Sequence, residues 1–197
     1  MKQLLSMAWC FQIVAFMWFF GYCGIADASV YKADSSRSEI RFEVSSTLHD
    51  FTGHAAELSG TVDYDPVTGQ AITPFEIYVP VRSLNTAHAA RDKAMLKMFD
   101  VKNFPEAVWR VQSFVCGEVS PEGERKCAAG GMFIIHGKSV YREKELLIKK
   151  EGESLWIQGR FDLMTDEFGL KPPSVLGVIR VAKKVNVLIQ TEWKKAA

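Results

Sequence analysis

Ser38-Glu39-Ile40-Arg41-Phe42-Glu43-Val44-Ser45 alternates without a break. Ile40, Phe42 and Val44 fall on one side and Glu39, Arg41 and Glu43 on the other, the pattern of a β-strand with one buried face. The same period recurs. Leu58, Gly60, Val62 and Tyr64 oppose Ser59, Thr61 and Asp63; Phe75, Ile77, Val79 and Val81 alternate with Glu76, Tyr78 and Pro80. Ala107, Trp109, Val111 and Val115 then alternate with Arg110, Gln112 and Phe114. In the second half, Gly131, Phe133, Ile135 and Gly137 form one phase, Leu155, Ile157, Gly159, Phe161 and Leu163 another, and Val185, Val187, Ile189, Thr191 and Trp193 the last. A weaker strand over Glu145 to Lys150 brings the count to about eight. The fold class is all-β. One apolar phase per strand requires a single shared interior, which a closed barrel or a sandwich supplies. Gly60, Gly137 and Gly159 in the inward phase favour the barrel, because they permit strong coiling and leave room inside.

One segment breaks the period. Ala87 to Met98 reads as a helix, with Asn85 or Thr86 as N-cap and a narrow apolar stripe of Ala90, Ala94, Met95, Met98 and Phe99. It stops before Asn103-Phe104-Pro105, since the residue ahead of proline avoids helical geometry. This helix is expected to lie across one mouth of the barrel. Met95, Met98 and Phe99 then face either core or ligand, and plain packing is the first reading of such a stripe.

Composition bounds the functions. The 197 residues are 48% apolar and 24% charged, and 24 Lys plus Arg against 23 Asp plus Glu leave a net charge of +1. Such a balance leaves no cationic surplus for phosphate neutralisation and argues against a nucleic-acid binder. Only Leu4 to Ile25 is apolar enough to cross a bilayer. It follows the basic head Met1-Lys2-Gln3 and leads into Ala26-Asp27-Ala28, a small-x-small cleavage pattern, so residues 1–28 read as a secretory signal and residues 29–197 as one exported domain. An uncleaved anchor is the alternative. A lipoprotein signal fits less well, since Tyr22 is too large for the position before Cys23.

Beyond the signal only Cys116 and Cys127 remain, flanking a polar, turn-rich segment from Gly117 to Lys126. Two strands joined by that loop bring the cysteines together, and an oxidising compartment favours the disulfide. A metal site is the rival, but the spacing is not Cys-x-x-Cys and no histidine pair stands near. Asp63-Tyr64-Asp65 lacks the glycine and glutamate of a calcium loop and reads as a turn.

Ser38 to Val44, Phe51-Thr52-Gly53, Leu58 to Val62 and Val81 to Thr86 resemble the opening of the YceI-like family of exported lipocalin-like proteins. Arg91-Asp92-Lys93-Ala94-Met95-Leu96-Lys97, followed by Phe99-Asp100-Val101 and Asn103-Phe104-Pro105, is similar to that family's most specific block. Gly131 to Gly137 and Asp166-Glu167-Phe168-Gly169 continue the resemblance. The Cys116 to Cys127 loop looks like an addition, and Lys171-Pro172-Pro173-Ser174 is a variable loop; neither inherits a role. The resemblance implies an eight-stranded antiparallel lipocalin-like barrel, export to the periplasm or outside, and noncovalent binding of a long isoprenoid or similar amphiphilic lipid, a reading compatible with peripheral membrane contact. It implies no cofactor or metal.

The inward phases and the helix nominate Phe42, Val79, Met95, Phe99, Trp109, Phe133, Ile135, Ile157, Gly159 and Phe161 as ligand-binding residues. Two other readings compete: an envelope enzyme acting on a lipid in the same barrel, and a structural protein with a filled barrel. The enzyme reading finds no Gly-x-Ser-x-Gly, His-Glu-x-x-His or phosphate-cradling loop, and His49, His54, His88 and His136 stand apart. A His49, Asp50 and serine grouping is disfavoured because neighbouring side chains on a strand point to opposite faces. Arg91 and Asp92 at the helix start read first as a structural ion pair or as an anchor for the lid, with a ligand head group as the second role for Arg91.

Overall fold

The computed structural model describes residues 28–172 and 180–196. The signal segment read over residues 1–28 lies outside them, apart from Ala28. The described residues form eleven strands: β1 (Ser29–Ser46), β2 (Phe51–Ala55), β3 (Ser59–Asp65), β4 (Gln70–Ala71), β5 (Phe75–Pro80), β6 (Leu84–Asn85), β7 (Glu106–Val119), β8 (Glu124–Ile135), β9 (Lys138–Glu151), β10 (Ser154–Met164) and β11 (Val181–Lys195), with one α-helix, α1 (Ala89–Met98). Eight of them form a closed antiparallel barrel in the order β3-β5-β7-β8-β9-β10-β11-β1, and β1 closes it by pairing with β3. The predicted all-β barrel is the observed fold.

The alternation that begins at Ser38 belongs to the second half of a longer strand. β1 pairs with β11 along most of its length, but its other edge changes partner, from β3 at Ser29–Lys32 to β2 at Ile40–Val44. Between them the register jumps from Asp34↔Glu192 to Glu39↔Gln190. Short polar side chains satisfy the backbone released by this irregularity. Ser35 Oγ donates to the Leu58 carbonyl (2.5 Å) and accepts from its N–H (3.0 Å), while Ser38 Oγ donates to the Asp34 carbonyl (2.6 Å).

Asp34 sits at this corner against Lys194 (2.6 Å) and accepts from the Ser36 hydroxyl (2.6 Å). The Lys194 ammonium, and then Ser36, hold its carboxyl down to about 2. Asp65, bonded by the Thr68 hydroxyl, is lowered as well. A depressed carboxylate stabilises the fold above its ordinary pKa and stops doing so as pH falls through the folded value. Urea midpoints are therefore expected to fall between about pH 4 and about pH 2, and Asp34→Asn should flatten part of that slope. An unchanged slope would refute the assignment.

Two sequence expectations need correction. In β7, Val111 pairs with Gly131 but Ser113 with Gly130, so Gln112 is an extra residue and the strand bulges. The phase flips there: Phe114 turns inward and Val115 is 69% exposed, the reverse of the uninterrupted alternation. Gly137 is not an inward strand residue either. It forms with His136 the two-residue turn between β8 and β9, both at positive φ (71° and 51°), the geometry that the right-handed twist of a hairpin favours.

Strand β9 is longer than Glu145 to Lys150. It pairs with β8 from Lys138 to Lys149 but with β10 only from Leu147 to Glu151, so the β9–β10 seam opens beyond Leu147. Phe168 and Leu170, from the 3-10 turn Thr165–Phe168 and the residues after it, are buried beside Leu146. Gly169 takes φ 69° to end that turn, and Arg142 pairs with Glu167 across the gap. The Asp166-Glu167-Phe168-Gly169 run is thus a plug for the seam.

Candidate functional site

The inward faces enclose a cavity of about 740 Å³. All eight barrel strands line it, among them Phe42 on β1, Val62 on β3, Val79 on β5, Trp109 on β7, Phe133 on β8, Ile148 on β9, Ile157 on β10 and Val187 on β11. Its wall is aromatic on one side. Trp109 stacks on Phe133 with ring centroids 4.9 Å apart and an interplanar angle of 13°, and Phe161 leans on both.

One end is closed. Trp193, Tyr31, Tyr64 and Leu155 are each at most 2% exposed and pack with Leu58, Val62, Cys127 and Ile148. The Trp193 indole N–H donates to Thr191 Oγ1 (3.0 Å), so the floor buries no loose donor there. A Cβ on Gly60 would meet the Glu76 carbonyl at 2.8 Å and the Trp193 ring at 3.1 Å. Gly60 therefore admits a neighbour rather than opening space. Cys116 and Cys127 are joined in a disulfide, a cross-strand pair between β7 and β8 with Cα atoms 4.0 Å apart, at this same end.

The other end is covered by α1. Ala90, Ala94, Met95, Met98 and Phe99 all face the cavity, so the narrow stripe is its ceiling. The helix cap is neither Asn85 nor Thr86: His88 Nδ1 accepts from the Arg91 N–H (3.3 Å). Thr86 instead holds the helix to the barrel rim. Its hydroxyl donates to Asp92 Oδ1 (2.5 Å) and accepts from Arg91 Nε (2.8 Å), and its carbonyl accepts from Arg91 Nη2 (2.9 Å). Arg91 and Asp92 therefore do not pair with each other directly but anchor the lid through a shared threonine. The Arg91 guanidinium also lies over the Phe51 ring, 4.3 Å from its centroid.

Of the ten residues nominated from the sequence, Phe42, Val79, Met95, Phe99, Trp109, Phe133, Ile135, Ile157 and Phe161 border the cavity. Gly159 does not. It lies where β9 leaves β10, and a Cβ there would meet Leu146 Cδ2 at 2.7 Å and Ile189 Cγ1 at 3.3 Å. The room expected from a missing side chain is filled by two neighbours. The sequence reading missed the rim, where Leu48, His49, Phe51, Leu84 and Ala182 join the lining. Phe51, inside Phe51-Thr52-Gly53, carried the one available signal. The His49, Asp50 and serine grouping is a turn, in which Ser46 Oγ donates to the His49 carbonyl (2.6 Å) rather than to its ring.

An apolar chamber in an eight-stranded barrel, lidded by the Arg91-Asp92 helix, accords with the family signature, and the YceI-like domain profile matches residues 31–193. The chain belongs to the YceI-like domain family. This YceI-like barrel is similar to Burkholderia cenocepacia BcnA, with a TM-score of 0.67 at 15% identity over 81% of this chain and 98% of that one. It is similar to the same degree to a polyisoprenoid binding domain from Saccharophagus degradans implicated in plant cell wall breakdown, with a TM-score of 0.67 at 15% identity over 86% of this chain and 99% of that one. The Campylobacter jejuni YceI protein matches with a TM-score of 0.59 at 16% identity, over 74% and 85% of the two chains. No curated protein matches the sequence.

Proposed function

We propose that this YceI-like protein is an exported carrier that holds a long isoprenoid or similar amphiphile noncovalently inside its barrel. The observation that carries the reading is the one-ended apolar cavity of about 740 Å³, a size typical of ligand sites. A hydrocarbon chain gains about 25 cal/mol for each Å² removed from water, and this wall offers it few competing polar groups. The similar Saccharophagus degradans domain binds polyisoprenoid, which supports the same reading. Binding rather than catalysis fits the Ser46 hydroxyl, which is tied to a carbonyl and not aligned with an imidazole. Export rests on the apolar segment and the Ala26-Asp27-Ala28 pattern of residues 1–28.

The test fills the cavity from the lid, where the helix has room to adjust. Ala94→Trp should stay folded by circular dichroism and bind a fluorescent isoprenoid at least roughly tenfold more weakly, while Lys149→Ala on the outer face of β9 binds as before. Unchanged affinity in a folded Ala94→Trp protein would place the ligand outside the barrel. Native mass spectrometry of protein from its own envelope should show a chain beginning at Ser29 with an extractable lipid. A chain retaining residues 1–28, or a barrel without lipid, would count against the exported carrier.

A further inference from the structure

The barrel wall has a side opening beside the lid. The β9–β10 ladder stops at Leu147↔Gln158, yet β9 stays paired with β8 as far as Lys138 and β10 with β11 as far as Met164. Each strand keeps its place while the edge they would share lies open. Residues 165–170 close it. Phe168 and Leu170 are 1% and 4% exposed, and they share an apolar cluster with Leu146, Phe161 and Leu163, which border the cavity. The plug thus backs directly onto the cavity wall.

The polar contacts of this plug lie largely in water. Arg142 pairs with Glu167 and Lys183 with Asp166 (3.0 Å), and the four side chains are between 32% and 64% exposed, where ion pairs contribute little. The Phe168 carbonyl accepts from His136 Nδ1 (3.3 Å), and Lys144 Nζ donates across the gap to the Asp162 carbonyl (3.2 Å). At the root of the plug, Thr165 Oγ1 is buried with no hydrogen-bond partner among the described residues, a cost that outward movement would relieve by admitting water. The lid is held differently. Four hydrogen bonds of 2.5–2.9 Å tie Arg91 and Asp92 to Thr86, which is only 5% exposed. Lifting α1 away from Thr86 breaks all of them, whereas widening the seam breaks no strand ladder.

We propose that the β9–β10 seam is the portal of the cavity: residues 165–170 swing out as a plug while α1 stays in place, and the amphiphile passes between the strands. The proposal rests on the carrier reading and adds the route of entry. Segments that open locally are those with solvent-exposed polar bonds and few ladder contacts, and this one has both properties. It rests shut because opening gives the apolar side chains of Phe168 and Leu170 to water.

The experiment straps the plug to β9 after folding. In protein beginning at Ser29, with the Cys116–Cys127 disulfide left oxidised, the Arg142→Cys and Glu167→Cys double variant is joined by a short bis-maleimide. Stopped-flow association and dissociation of a fluorescent isoprenoid should both slow at least roughly tenfold, with equilibrium affinity unchanged, since a portal alters rates and not the bound state. The same variant with both thiols capped by N-ethylmaleimide, unjoined, should exchange the probe at least as fast as wild type. Glu167→Gln, which removes the ion pair without a linker, should speed exchange severalfold at unchanged affinity. Strapped protein that exchanges the probe as fast as the capped control would overturn the portal with the carrier reading intact. Should the strap also shift the affinity, the Glu167→Gln rates decide, and wild-type rates there overturn it. A wild-type protein that binds no probe would overturn the carrier reading and the portal together.

Discussion

Trp193→Ala should lower the unfolding free energy by about 3–5 kcal/mol, the range for removing a fully buried indole. Trp193 is 1% exposed at the closed end, stands opposite Ala33 on β1 and Leu155 on β10, and fits the hollow left by Gly60. Its neighbours are strands in ladder positions, which collapse only slightly into a void, so the cavity penalty should persist. The shift is read as a urea midpoint at constant m-value, with Trp193→Phe falling between wild type and alanine. A loss below about 1 kcal/mol would show that the floor is not packed around this ring.

Removing the Cys116–Cys127 bridge should cost about 3 kcal/mol, because a sequence separation of 11 closes a short loop whose freedom returns to the unfolded chain. The Cys116→Ser and Cys127→Ser double variant and the reduced wild type should melt together, below the oxidised protein. Unreduced protein lacking residues 1–28 should show no free thiol. The loss should leave probe binding at the lid intact, since the bridge lies at the opposite end from α1. A reduced protein that melts like the oxidised one would mean that the hairpin holds its register without the bond.

Period-two reading found most strands because each barrel strand faces the cavity on one side and water on the other, and Ile40, Phe42 and Val44 obey that contrast strictly. It failed where the contrast is interrupted. The bulge at Gln112 exchanges Phe114 for Val115, two apolar residues that sequence cannot rank for inward placement. Most of β9 went unread because Arg142 and Lys144 occupy the phase of Leu146 and Ile148. They can do so only because β9 has left β10, and Lys144 Nζ reaches the Asp162 carbonyl (3.2 Å) across the opening. Burial there pushes the Lys144 ammonium below its ordinary pKa. The lining residues on strands were legible for the same reason as the strands. The rim was not, since His49, Phe51 and Leu84 reach the cavity from turns and short strands with no period to betray them. Gly159 misled because a missing side chain reports room only when its neighbours decline to fill it.

The closed floor at Trp193 gives the barrel a fixed depth, and depth is a gauge. An amphiphile carried as proposed goes in tail first. Each methylene that fits between floor and lid adds about 0.8 kcal/mol, and each one beyond that length adds nothing. Affinity would climb with tail length to a plateau and stay there. From a mixed pool of lipids such a protein would reject the short and accept every tail long enough to touch bottom, so that it sets a minimum length and no maximum.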